Sequence, residues 1–87
     1  MANIWKGSIT NKDKFEDFSI ISGKTLSAKK YSMQVIGACY LCDKETMPED
    51  DEGFLIDTTE PFTFEKKDGA ELYVKAVSQF CKLNIAE

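Results

Sequence analysis

Four consecutive carboxylates restrict the fold of this 87-residue chain more than any other feature. Glu49-Asp50-Asp51-Glu52 lies between Pro48 and Gly53. Adjacent like charges repel one another and lose solvation when they are buried, so a core strand or helix cannot contain them. Proline and glycine typically mark loops. We therefore expect these four residues, called the carboxylate run below, to form a flexible, hydrated loop without ammonium partners inside the molecule.

The carboxylate run is the centre of an uneven charge distribution. Residues 43–60, called the acidic segment below, contain eight carboxylates and one lysine and so have a net charge of −7, whereas residues 1–30 have a net charge of +3 and residues 61–87 have a net charge of zero. The whole chain has a formal charge of −4. Concentrated negative charge speeds association with positively charged surfaces. The sequence therefore favours a basic protein surface as the partner.

Apolar stretches separated by turn residues predict short strands along most of the chain. The predicted strands are residues 3–9, 15–22, 31–42, 53–58 and 62–66. A helix that begins at Ser27 is the alternative for residues 31–42, but Gly37 and the β-branched and aromatic content favour a strand. The short connections between these stretches favour antiparallel pairing.

The C-terminal part of the chain predicts a helix over residues 68–83. Asp68 and Glu71 have the spacing of a capping box, and Asn84 is a suitable stop. Apolar residues at helical spacing would form its buried face: Leu72, Tyr73, Val74, Ala76, Val77, Phe80, Cys81 and Leu83. The sequence thus predicts one α+β domain over residues 1–87, an antiparallel β-meander of four to five strands packed by one C-terminal amphipathic helix.

Missing residue types exclude several activities. The chain has no His, so it cannot supply a Ser-His-Asp triad, a Cys-His dyad or a His-ligated metal site by itself. It has no Arg for bidentate binding of phosphate. No apolar run approaches the length of a membrane span, and residues 1–6 do not resemble a signal peptide. We expect a cytoplasmic protein that is not an enzyme, with no cofactor, no metal and no membrane partner.

Cys39 and Cys42 form a C-x-x-C motif, which makes a small zinc-binding or thiol-redox protein an alternative. A structural zinc site needs four ligands, and Cys81 is the one other thiol. A thioredoxin-like fold needs more than the 18 residues between Cys42 and Pro61. On a strand, Cys39 and Cys42 would point to opposite faces. The simpler interpretation makes Cys39 and Cys81 small core residues.

The chain has one basic cluster, formed by Lys24, Lys29 and Lys30 next to Tyr31. Such a cluster makes a single-stranded nucleic-acid-binding domain a further alternative. The net charge of −4 and the absence of Arg oppose it, and we expect no direct binding of nucleic acid.

The leading hypothesis is a small acidic protein-binding module. Glu49, Asp50, Asp51 and Glu52 would dock on a basic, nucleic-acid-binding surface of a partner, as a nucleic-acid mimic does, and Phe54 and Met47 would supply apolar anchors. This profile is similar in character to small phage-encoded inhibitors and to toxin-neutralising immunity proteins, although no motif assigns the chain to a family. Exposed strand edges would also allow a homodimer. In the simpler alternative, the carboxylates only keep a small domain in solution.

Overall fold

The computed structural model describes residues 4–87, and these form two four-stranded antiparallel sheets with one short helix. The elements in chain order are β1 (Ile4–Ser8), β2 (Glu16–Asp17), α1 (Phe18–Ser22), β3 (Lys30–Ile36), β4 (Cys39–Lys44), β5 (Phe54–Ile56), β6 (Phe62–Glu65), β7 (Glu71–Ala76) and β8 (Lys82–Ala86). The first sheet has the order β1-β8-β3-β6, and the second has the order β2-β7-β4-β5. Strands β5 and β6 are therefore edge strands of different sheets.

The core lies between the two sheets and follows the two-residue period of the strands. Met33 and Val35 of β3 and Leu83 and Ile85 of β8 alternate with more exposed neighbours and are almost fully buried. Leu72, Val74 and Ala76 of β7 fill the same layer from the other sheet. Trp5 packs edge-on against Tyr31, with ring centroids 5.3 Å apart, and its indole N–H donates to the carbonyl of Thr25. The fold is thus a β-sandwich with a single apolar core.

The predicted α+β class and its C-terminal amphipathic helix are wrong. Residues 68–83 form β7, a loop and the start of β8 instead of a helix. Five consecutive residues of β7 are buried because both of its faces are covered, and a strand of that kind has no two-residue alternation in its sequence. Two residues expected on the buried helix face, Val77 and Phe80, are exposed in the loop between β7 and β8.

Two other predicted strands also differ from the structure. The stretch 15–22 is a two-residue strand followed by α1, whose start is capped by Asp17 through a hydrogen bond from the Ser19 backbone N–H. The stretch 31–42 is two strands that turn at Gly37, where φ is +96°. A Cβ at Gly37 would meet the backbone carbonyl of Phe80, so this turn requires glycine.

The remaining predicted strands are close to the observed ones. Strands β1, β5 and β6 fall inside the predicted stretches 3–9, 53–58 and 62–66, although residue 3 lies outside the described residues. Every strand pair in the described residues is antiparallel, as predicted. The predicted β-meander of four to five strands is wrong, because the eight strands of residues 4–87 form two sheets and only β4 and β5 are neighbours both along the chain and in a sheet. Within residues 4–87, no helix has the length and apolar character needed to cross a bilayer.

Candidate protein interface

The carboxylate run belongs to the connection from β4 to β5, where the Glu52 backbone N–H donates to the Glu49 carbonyl in a turn. It lies on the outer face of the second sheet, because its backbone accepts a hydrogen bond from Lys75, which points away from the core. Pro48, just before the run, is buried, and so is Phe15, which lies beneath it. Gly53, just after the run, has a φ of +107°, and a Cβ there would lie 3.1 Å from the Phe15 ring. The segment therefore packs on the sheet instead of extending freely into solvent.

Lys75 of β7 anchors this segment from below. Its side chain is only 9% exposed, and its ammonium donates a hydrogen bond to the backbone carbonyl of Asp50. The same nitrogen lies 5.0 Å from the centroid of the Phe15 ring and 5.2 Å from that of the Tyr40 ring. These are cation–π distances, so the buried charge is stabilised by two aromatic faces and one carbonyl. Lys75 was not predicted as a site residue, because it was placed in the helix over residues 68–83, outside the apolar face of that helix, where a lysine is normally solvent-facing.

Glu52 closes the segment through a pair with Lys44, whose Nζ lies 2.8 Å from one carboxylate oxygen and 2.9 Å from the other. The backbone N–H of Glu49 also donates to Glu52. The hydrogen bond from Lys44, followed by that backbone N–H, lowers the pKa of the Glu52 carboxyl from its ordinary value. Glu52 therefore shapes the loop and is less available to a partner than the sequence implied.

Asp50 also has an internal partner, because Lys14 Nζ lies 3.4 Å from its carboxylate. Both side chains are largely exposed, so this ion pair contributes little stability. The expectation that the whole run lacks internal ammonium partners is therefore wrong for Asp50 and Glu52. Glu49 and Asp51 are exposed and form no ion pair with the other described residues. Within residues 4–87, Glu49 and Asp51 are thus the two carboxylates of the run that have no ammonium partner.

The two predicted apolar anchors lie at the two ends of the carboxylate run. Phe54 is 79% exposed and Met47 is 56% exposed. Leu55, which the sequence reasoning did not single out, is also exposed on β5. Exposed apolar side chains thus flank Glu49 and Asp51 along the chain. Edge strand β5 carries two of these three apolar residues.

A groove of about 450 Å³ opens between the edges of the two sheets, with β5 on one side and β6 on the other. Its apolar lining includes Phe54 and Ile56 from β5 and Phe62 and Phe64 from β6. Phe62 and Phe64 were not predicted as site residues, because in the sequence they only continue the alternation of a strand. The carboxylate of Asp43 also lines this groove.

The cysteines do not assemble the alternative sites. Cys39 is buried in the core, and Cys42 is less buried on the opposite face of β4, as expected for a strand. Burial, with a smaller effect of the nearby Cys81, raises the pKa of the Cys39 thiol far above its ordinary value, so a thiolate is strongly disfavoured. Residues 4–87 contain no group of three or more Cys, Asp or Glu side chains arranged to hold a metal ion.

The predicted basic cluster is already engaged in internal contacts. Lys24 donates to the carbonyl of Ile4, and Lys29 pairs with Glu87 at 2.8 Å. Glu87 raises the pKa of the Lys29 ammonium, mainly through that hydrogen bond. Lys30 is exposed at the start of β3. The geometry therefore offers less support for a nucleic-acid surface here than the sequence did.

Comparisons with known proteins give no further guidance. The chain matches no protein-family model, no curated protein and no solved structure. The features that bear on function are therefore the exposed side chains of Glu49, Asp51, Met47 and Phe54, called the acidic face below.

Proposed function

We propose that this protein is a small, non-enzymatic binding module that docks its acidic face on a basic, nucleic-acid-binding surface of a partner protein and thereby inhibits or neutralises that partner. The observation that carries the proposal is the exposure of Phe54, which is 79% accessible to solvent directly after the carboxylate run. A large exposed aromatic beside unpaired charge is typical of a binding surface. Carboxylates that only kept the domain in solution would not need an exposed aromatic anchor.

Charge supports the choice of a basic partner. The acidic segment carries −7, and the nearby ammonium groups of Lys14 and Lys75 reduce this to −5 without removing its sign. A surface that binds nucleic acid is rich in Lys and Arg and attracts a field of this kind. The charge would raise the association rate more than the final affinity, while Phe54 and Met47 would slow dissociation.

The test uses a double charge reversal that leaves the internal pairs intact. Glu49→Lys with Asp51→Lys changes the two carboxylates without a described ion pair and keeps Glu52, which shapes the loop. Tagged protein would capture partners from a lysate of its native host for identification by mass spectrometry. We expect the wild type to retain a nucleic-acid-binding protein, added duplex DNA to displace it, and the double variant to lose it.

The matched control makes the same change in charge elsewhere. Asp13 and Asp68 are exposed and lie outside the acidic segment, so Asp13→Lys with Asp68→Lys alters the net charge equally. We expect this control to capture the partner nearly as well as the wild type. Equal capture by the control and by the Glu49/Asp51 variant, with both folded by circular dichroism, would contradict the proposal.

A further inference from the structure

The groove between β5 and β6 is a gap in the sandwich, because within residues 4–87 the inward-facing side chains of edge strand β5 do not close against edge strand β6 of the other sheet. Phe54 pairs with Leu41 and Ile56 pairs with Cys39, and Leu41 and Cys39 both belong to the core. Directly paired residues of antiparallel strands share a face, so Phe54 also faces inward. An inward-facing aromatic is normally buried, yet this one is largely exposed.

The opposite wall of the groove, formed by β6, also carries inward-facing aromatic side chains that are not fully buried. Phe62 and Phe64 of β6 pair with Met33 and Tyr31, two buried residues of β3, and therefore face the gap. Both phenylalanines are only partly buried against the core. The free edge of β5 also carries backbone N–H and C=O groups that have no neighbouring strand on that side among residues 4–87. One extended segment placed there would complete the sheet and cover the aromatic walls.

The charged side chains that line the groove indicate the charge of the segment that would bind there. Asp43, Glu52 and Glu65 line it together with Lys67, so the carboxylates outnumber the ammonium groups. One oxygen of Asp43 accepts a hydrogen bond from the Lys67 backbone N–H. The other oxygen is buried and has no hydrogen-bond partner within residues 4–87. An unpaired buried carboxylate oxygen is costly, and a donor from a bound segment would satisfy it.

We infer that the groove binds an extended segment of the partner protein in which apolar residues alternate with lysine or arginine, and that this segment adds as a strand to β5. The inference rests on the proposed function, since it names how the partner is held. A second copy of this chain fits poorly, because β5–β5 pairing would bring two carboxylate runs together and like charges repel.

A defined peptide tests the inference without knowledge of the partner. The probe is a fluorescein-labelled synthetic peptide that alternates valine and lysine, measured by fluorescence anisotropy at low salt. We expect saturable binding to the wild type and binding weakened about tenfold or more by Phe54→Ser. Phe80→Ser is the matched control, because Phe80 is 67% exposed but lies outside the groove, and it should bind like the wild type. Asp43→Asn should weaken binding several-fold, because it removes the charge that faces the donor.

Four results would contradict the inference. A valine–glutamate peptide that binds equally well would refute the role of charge, and an equally active peptide N-methylated on alternate residues would refute strand addition. Loss of dimers in Phe54→Ser but not in Phe80→Ser, seen by light scattering, would show that a second copy occupies the groove. No peptide binding, combined with partner capture that depends on Glu49 and Asp51, would overturn this inference alone and leave the proposed function standing.

Discussion

Replacing Lys75 by Met tests whether a buried ammonium holds the acidic face in place. Methionine has a similar length and keeps the apolar contacts of the stem, but it removes the charge and the donor. In the wild type, the ammonium donates to the Asp50 carbonyl and lies about equally close to the Phe15 and Tyr40 rings. The substitution therefore removes three interactions at one atom.

The expected loss of stability follows from opposing contributions. A hydrogen bond from a charged donor contributes about 1.5–3 kcal/mol, and each desolvated cation–π contact contributes about 1–2 kcal/mol. Against this, methionine avoids the desolvation cost of an ammonium that is only 9% exposed, a cost of several kcal/mol. We expect the free energy of unfolding to fall by about 2 kcal/mol. For a chain of this size, that loss lowers Tm by about 8–16 °C.

The assay is urea unfolding followed by the fluorescence of Trp5, the single tryptophan, which lies in the core. Lys12→Met is the matched control, because Lys12 is exposed and the substitution is chemically the same. Limited proteolysis with a glutamate-specific protease reports on the loop itself, and Lys75→Met should be cleaved faster within the carboxylate run. A free energy of unfolding within about 0.5 kcal/mol of the Lys12→Met value, with unchanged cleavage, would refute the anchoring role.

Three further outcomes are expected. Gly37→Ala should lower the free energy of unfolding by about 2 kcal/mol or more in the same urea assay, because Gly37 has a positive φ and a Cβ there would meet the Phe80 carbonyl. A loss below about 1 kcal/mol would contradict this expectation. Because the pKa of Glu52 is lowered in the folded state, the stabilisation from Lys44 is complete above pH 4.5 and is lost as the pH falls through the pKa of the folded state. In a pH series of urea midpoints, Glu52→Gln should lack this loss, and parallel curves for the variant and the wild type would refute the role of the pair. Native alkylation followed by mass spectrometry should modify Cys42 first, since the other two thiols are buried, and prior modification of either would contradict the structure.

The sequence predicted the parts of this protein in which one physical constraint dominates. Four adjacent charges cannot enter a core, so residues 49–52 had to lie in a connection, and they do. Residues 62–66 alternate between apolar and polar side chains, as a strand with one half-buried face does, and β6 is found there. Phe54 and Met47 were expected as exposed anchors on the basis of their position beside the charge, and both are exposed. The place of the carboxylate run in a connection and the exposure of Phe54 and Met47 could thus be predicted from the sequence, whereas their role in binding stays a prediction.

The rest could not be predicted because it depends on contacts between distant residues. The helix over residues 68–83 failed because β7 is covered on both faces, once by the core and once by Phe15 and the acidic segment. That second cover exists only after β2, β4 and β7 have assembled. The residues around Lys75 do not indicate that its ammonium is buried, since the carbonyl that accepts its hydrogen bond is 25 residues away in sequence. The groove likewise requires β5 and β6 to be placed in different sheets.

Lys75→Met also tests partner binding, because its effect on net charge and its effect on the order of the acidic segment change the affinity in opposite directions. Lys75→Met makes the chain more negative, from −4 to −5, so electrostatics alone predicts tighter binding to a basic partner. A loosened segment must be ordered again on binding, at about 1–2 kcal/mol per residue fixed, which predicts weaker binding. We expect order to prevail and Lys75→Met to bind the captured partner about tenfold more weakly than Lys12→Met, which has the same net charge and an intact anchor. Equal or tighter binding by Lys75→Met, measured by surface plasmon resonance at fixed salt, would show that the partner recognises only the charge and not the shape in which β7 holds it.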